Sequence, residues 1–209
     1  MNLEQLRKRT RAASGFNMVS LYGDDDIDLI VNEVYADICG AEDWPFLYVD
    51  ELTDLDDSTI ELTWPVRTLS SLVFGDGGRI RATTVDEIDM LDPERTGKPE
   101  VYARLDDKRV MLWPTPDKTY TGRVRGFRKP QELTQDADAP EFESEFHSAI
   151  VYESAARLLV EFGDFDRVEG LREQASDALS RMRVRYLASK DRGIIQMGGR
   201  IHDRHRWRV

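Results

Sequence analysis

The chain has 209 residues, of which 40% are hydrophobic and 33% charged, so it has enough apolar side chains for a folded core. No apolar run reaches the roughly 20 residues that a membrane-spanning helix needs, and the first residues lack the apolar stretch of a signal peptide. A single cysteine, Cys39, excludes an intramolecular disulfide. We therefore expect a globular protein that is not exported and has no membrane partner.

Charge is distributed unevenly along the chain. The formal net charge is −11, but residues 181–209 hold nine basic and two acidic residues, and residues 1–180 carry the remaining excess of acidic groups. An acidic body repels DNA phosphates, whereas a basic end is attracted to nucleic acid or to an acidic protein surface. The asymmetry predicts two tasks within one chain.

The N-terminal third begins with two predicted helices. The first covers residues 3–13 and ends at Gly15. The second begins at the three aspartates 24–26, because carboxylates stabilise a helix N-terminus, and it ends near Gly40.

From Trp44 to Phe127 the apolar pattern changes to that of short strands bounded by turn residues. Gly75–Gly78 is predicted to be a hairpin loop that leads into a strand over residues 79–81. Thr84 and Glu87 form a capping box for a small helix. The segment is therefore predicted to be a β-rich insertion.

Two further helices follow a polar linker. The third is predicted over residues 141–162, with Pro140 in its first turn, and its two apolar sides indicate neighbours on both, within the domain or across subunits. Gly163 begins the turn to the fourth, which makes the pair an antiparallel hairpin. Residues 190–209 have no sustained period and are predicted to be an extended tail.

The predicted fold class is therefore α+β, because helices from both ends of the chain enclose a β-rich insertion. The N-terminal helix and the C-terminal antiparallel helix pair form the helical core. The predicted boundaries are 1–43 for the N-terminal helices, 44–128 for the insertion, 129–189 for the linker and helical hairpin, and 190–209 for the extended basic tail.

Residues that could support enzyme chemistry are scarce. The sequence contains no nucleophile elbow, phosphate-binding loop or zinc-protease motif. His147 is interpreted as structural or interfacial, and His202 with His205 lacks the further ligands of a metal site. We predict no catalytic residue, no metal and no cofactor.

Three ordered segments resemble the adaptor subunits of head-to-tail connectors in tailed bacteriophages. Trp44–Leu47 is similar to the entry of that family's β insertion, and Leu112–Asp117 resembles its strand and Pro-x-Pro turn. Residues 139–151, with Pro140, Glu141, Phe142, Phe146 and His147, resemble the start of its major helix. The resemblance covers about residues 25–187 and concerns the scaffold.

The resemblance implies a structural virion protein without enzymatic activity. It implies a homo-oligomeric ring, usually of twelve copies, that binds beneath the portal protein, receives a downstream neck or tail-completion protein and lets viral DNA pass without specific binding. The protein would reside at the neck of the virion, and in the host cytoplasm during assembly. The alternative is a nucleic-acid-binding protein that acts through the arginine-rich tail.

Two sets of site residues follow from this interpretation. The helix-packing residues predicted between subunits are Phe142, Phe146, Ile150 and Leu158. The predicted portal-docking residues of the tail are Ile194, Ile195, Arg200, Ile201, Arg204, Arg206, Trp207 and Arg208.

Overall fold

The computed structural model describes residues 1–15, 22–161 and 163–199, with side chains as far as residue 188. The chain divides into two compact units. The helical unit comprises Met1–Phe46 and Gln131–Val209, and the β-rich unit comprises Leu47–Pro130. The α+β class that the sequence predicts is confirmed.

The described residues of the helical unit form four α-helices, which are α1 (Leu3–Ser14), α2 (Asp24–Gly40), α4 (His147–Val160) and α5 (Phe165–Gly199). Helix α1 begins with a capping box between Asn2 and Gln5, in which each side chain accepts a hydrogen bond from the other residue's backbone N–H. It ends at Gly15, whose φ of 100° is a conformation that glycine adopts without steric cost.

Helix α4 is the centre of this unit, since it packs against α1, α2 and α5 of the same chain. Ala149, Ile150, Ala155 and Leu159 on α4 are fully buried. These intrachain neighbours account for the two apolar sides that the sequence shows on this helix.

Helix α4 begins later than the sequence predicts, at His147 rather than near Pro140. The backbone N–H of Glu141 donates to Tyr35 Oη at 3.2 Å. The backbone N–H of Glu143 donates to Tyr186 Oη at 3.2 Å. The Phe142 ring packs against that of Tyr35, with centroids 5.9 Å apart. These tertiary contacts satisfy the backbone of the segment outside a helix, so they override the N-terminal proline signal.

Helix α5 continues to Gly199, so residues 190–199 are helical where the sequence predicts an extended tail. Residues 187–192 are good or neutral helix formers without proline, and Gly193 costs a helix interior only about 1 kcal/mol relative to alanine. The prediction rested on the absence of an apolar period. Such a period shows which face of a helix packs against a neighbour, so its absence does not exclude a helical backbone. Residues 200–209 lie outside the described residues.

The β-rich unit contains nine strands, which are β1 (Tyr48–Leu55), β2 (Thr59–Glu61), β3 (Val66–Phe74), β4 (Arg81–Ala82), β5 (Thr96–Gly97), β6 (Val101–Arg104), β7 (Arg109–Trp113), β8 (Thr115–Pro116) and β9 (Tyr120–Arg128). They form a three-stranded sheet in the order β1-β9-β3 and a four-stranded sheet in the order β2-β7-β6-β4. A short β5-β8 pair and helix α3 (Val85–Asp89) complete the unit.

One core cluster packs the two larger sheets together. Leu55, Val66, Leu72, Leu112 and Val124 are each at most 2% exposed in this cluster. The chain therefore has a second hydrophobic core, built by period-two alternation along the strands.

The predicted hairpin after β3 forms only in part. Val73 pairs with Arg79 in a single antiparallel bridge across the turn at Gly75–Gly78. The chain then leaves β3, and β4 pairs in parallel with β6. The side chain of Ile80 is only 5% exposed, so its burial redirects the segment that the sequence predicts as a hairpin strand.

No helix within the described part of the chain is both long enough and apolar enough to cross a membrane.

Candidate docking surfaces

The long C-terminal helix α5 is one candidate surface. It has 35 residues against 14 in α4, so at a rise of 1.5 Å per residue it is about 52 Å long and α4 about 21 Å. Its packed side carries Val168, Ala175, Ala178 and Met182, all at most 4% exposed. Because α5 is more than twice as long as its partner, much of it has no α4 alongside.

The last turns of α5 with described side chains carry Arg181, Arg183 and Arg185 and are therefore basic. Arg183 donates to Glu42 at 3.1 Å, and Arg185 donates to Glu143 at 3.2 Å. The hydrogen bond with Glu143 raises the pKa of Arg185. Arg181 is exposed and makes no ion pair with a described residue. The acidic body thus offsets part of this basic charge within the chain.

The eight predicted docking residues divide at the end of this helix. The backbone of Ile194 and Ile195 belongs to the last turns of α5. The remaining predicted docking residues, which lie outside the described residues, are Arg200, Ile201, Arg204, Arg206, Trp207 and Arg208.

The four residues predicted to pack between subunits are buried inside a single chain. Phe142, Phe146, Ile150 and Leu158 are 4, 3, 0 and 2% exposed. Side chains with so little accessible surface have almost none left for a second subunit. The structure places them in the core of the helical unit, because the α1, α2 and α5 neighbours of α4 are all intrachain.

His147 has a structural environment. It is 2% exposed, its Nε2 lies 2.9 Å from the carbonyl oxygen of Phe142, and its Nδ1 lies 2.7 Å from the Met1 amino group. Burial lowers the pKa of this imidazole, so the neutral form is favoured. The neutral ring donates one hydrogen bond and accepts the other, which ties α4 to the start of the chain.

The helical unit carries most of the acidic excess. Residues 1–46 and 131–209 contain 24 acidic and 16 basic residues, or 22 and 7 without the basic segment 181–209, whereas residues 47–130 contain 16 and 13. Three aspartates begin α2, and further along this helix Glu33 and Asp37 are exposed. Arg157 bonds to Asp37 at 2.5 Å and approaches Glu33 at 3.8 Å, which neutralises only part of this surface.

Sequence reasoning missed several apolar side chains that the structure leaves exposed. Leu29 on α2 is 60% exposed, Val184 on α5 is 70% exposed, and Met90 after α3 is 86% exposed. In the sequence, such a residue could be recognised as an apolar residue that lies outside the apolar face formed by its neighbours along the chain. Such residues are candidates for contact with other proteins, although isolated cases are common on ordinary surfaces.

Comparison with known proteins gives the same family as the three sequence segments. No curated protein matches the chain. The family model described as SU10 adaptor protein matches residues 1–202, which is nearly the whole chain and includes both units. The protein therefore belongs to the SU10 adaptor protein family of bacteriophage head-to-tail adaptors, and it is a phage structural protein.

Proposed function

We propose that this protein is a ring-forming subunit of the head-to-tail connector. In this proposal the ring binds beneath the portal protein, extends the DNA channel and joins the capsid to a downstream neck or tail-completion protein. Twelve copies form the ring, which assembles in the host cytoplasm and resides at the neck of the virion. The family match over residues 1–202 is the observation that carries the proposal.

The acidic excess of the helical unit supports a passage for DNA. Lysine and arginine contacts to phosphates give salt-dependent binding that would hold the duplex in place. A wall of carboxylates repels the phosphates and leaves DNA free to slide. We therefore assign the acidic faces of the helical units, including α2, to the lining of the passage.

The length of α5 supports a portal-docking role for the residues that follow it. A helix of about 52 Å can carry those residues away from the four-helix packing. Ile201 and Trp207 come after its last turn, among four of the tail's arginines. Aromatic and aliphatic anchors surrounded by arginines are typical of segments that bind a groove on another protein.

The test is capture of the chain by its cognate portal. Deletion of residues 190–209, or replacement of Ile201 and Trp207 by alanine, should weaken capture while thermal unfolding of the body is unchanged. Phe165→Ala is the matched control, because this exposed aromatic lies at the opposite end of α5 and should leave capture intact. Unchanged capture by the tail variants would refute the docking assignment.

A nucleic-acid-binding role that acts through the arginine-rich tail is the alternative, and the same deletion tests it. Mobility shifts with duplex DNA over a range of salt concentrations would distinguish the two. The adaptor role predicts no tight, salt-sensitive DNA binding by the intact chain. Tight binding that disappears on deletion of residues 190–209 would favour the competitor.

A further inference from the structure

A basic groove lies along the edge of β3 in the β-rich unit, between β3 and β4. Its volume is about 710 Å³, within the range of sites that bind small ligands and protruding side chains. Half-buried Val73 and exposed Ala82 contribute apolar surface to its walls, and none of the described residues that line it is acidic. Its four arginines are Arg79, Arg81, Arg123 and Arg125.

The arginines of this groove are only partly neutralised. Arg123 donates to both carboxylate oxygens of Asp50, at 2.5 and 2.7 Å, and Arg125 donates to the same carboxylate at 3.3 Å. Arg79 and Arg81 are exposed and make no ion pair with any residue that the structure describes. One carboxylate among four guanidinium groups leaves the groove positively charged.

The same unit presents a surface of opposite character, residues 86–94, which we name the acidic turn. It contains five acidic residues and no basic one. At its centre Met90 is 86% exposed, and Leu91 beside it is 36% exposed. An apolar centre surrounded by carboxylates complements a basic groove with apolar walls in both charge and polarity.

The acidic turn is held in place by the body of the unit. Ile88 is 7% exposed and packs with Val101 and Ala103. The indole N–H of Trp113 donates to the carbonyl oxygen of Asp92 at 2.9 Å. Because these contacts anchor the turn on both sides of Met90, the exposed side chain is presented on a fixed support, which lowers the entropy cost of binding.

We propose that the acidic turn of one copy inserts Met90 and Leu91 into the basic groove of the next copy. The inference rests on the proposed ring, since it identifies one of the contacts that would close it. Within one chain the groove is open and Met90 is exposed, so the two surfaces do not satisfy each other. A contact between two different surfaces of identical chains is heterologous, and heterologous contacts are the type that generates rings.

A second copy fits the groove better than the other sources of negative charge. Nucleic-acid phosphates would pair with the arginines, but they would leave the apolar walls without a partner. The acidic turn supplies both carboxylates and apolar side chains, and every neighbouring copy in a ring carries it. An acidic segment of a different neck protein is the remaining occupant that the experiment must separate.

The test uses three variants of the full chain, assembled with its cognate portal and measured by sedimentation velocity. Arg79→Glu/Arg81→Glu reverses the groove, Asp86→Lys/Asp89→Lys/Glu94→Lys reverses the turn, and Met90→Ser removes the apolar centre. Each should raise the protein concentration needed for ring assembly by at least about tenfold. Lys108→Glu/Lys118→Glu is the control for the groove reversal, because it makes the same charge change at exposed positions outside the groove and should assemble normally.

Charge-swap rescue decides the identity of the partner. A chain that carries both reversals should assemble again, because its negative groove meets a positive turn on the next copy. Normal assembly by every variant, in a protein whose wild type does form rings, would overturn the inference and leave the proposed function standing. Rings that form normally but fail to bind DNA or a neck protein would assign the groove to that partner and also overturn it. A wild type that forms no ring with its portal would refute the proposed function itself.

Discussion

Replacement of Arg7 by methionine should destabilise the helical unit far more than the same replacement at its neighbour Lys8. The Arg7 guanidinium on α1 forms a two-point contact with the Asp28 carboxylate on α2, in which Nε lies 2.7 Å from Oδ1. It also reaches Asp136 at 3.0 Å. These contacts raise the pKa of Arg7, with the Asp28 hydrogen bonds as the largest cause.

The expected magnitude follows from burial. The side chains of Arg7 and Asp28 are 13% and 19% exposed, between an exposed pair worth about 0.2–1 kcal/mol and a buried pair whose breakage costs about 3–5 kcal/mol. We expect Arg7→Met to cost about 2 kcal/mol of unfolding free energy. Lys8 is 70% exposed and, among the described residues, pairs only with Glu4, one turn earlier, so Lys8→Met should cost at most about 0.5 kcal/mol. Methionine keeps an apolar stem in both cases.

Urea unfolding at neutral pH measures both costs from the shift in midpoint at constant slope. A double-mutant cycle with Asp28→Asn isolates the pair and should give a coupling energy of about 1 kcal/mol or more. Equal effects of Arg7→Met and Lys8→Met, or a coupling near zero, would refute the view that this ion pair ties α1 to α2.

Two further predictions concern a close backbone contact and a buried histidine. Gly126→Ala should be strongly destabilising, because a Cβ there would lie 2.4 Å from the carbonyl oxygen of Thr68, whereas Gly170→Ala in α5 meets nothing within 4 Å and should stabilise by about 1 kcal/mol in thermal unfolding. Burial lowers the pKa of His147 below 6.5, so its contribution to stability is complete above pH 6.5 and is lost as pH falls towards the pKa of the folded state. Unfolding free energies at pH 8 and 5.5 should therefore differ less in His147→Gln than in the wild type, and an unchanged difference would contradict this.

Local signals were sufficient where the structure depends on local chemistry. The glycine at position 15 and the aspartates at 24–26 gave the end of α1 and the start of α2, because caps and helix dipoles act within one turn. Thr84 was predicted to cap a small helix for the same reason, and its side chain accepts a hydrogen bond from the Glu87 N–H at the start of α3. Strand alternation likewise identified the β-rich segment.

Tertiary contacts explain where the structure departs from the sequence predictions. The start of α4 is delayed because hydroxyl groups from α2 and α5 bind the segment around Phe142, and those helices are distant in sequence. The strand after Gly78, β4, pairs with β6 and does not continue the hairpin with β3, because Ile80 is buried in the core. Periodicity alone cannot reveal which chain supplies the neighbours of a two-sided apolar helix, and within one chain Phe142 and Ile150 are already buried.

Neither the basic groove nor the exposure of Met90 in the acidic turn could be predicted from the sequence. The groove brings Arg79 and Arg81 next to Arg123 and Arg125, more than 40 positions later, through the pairing of β3 with β9. Met90 lies among acidic and apolar residues, and this pattern is equally typical of a small helix whose apolar residues are buried. Its 86% exposure depends on where α3 ends and which of its side chains contact β6.

Electron microscopy of the chain mixed with its cognate portal would show directly whether it forms a connector ring. We expect a closed ring of twelve copies on one face of the portal, with an open central passage wide enough for duplex DNA. Particles in which the portal carries no added ring, while the chain remains monomeric at every concentration tried, would contradict it.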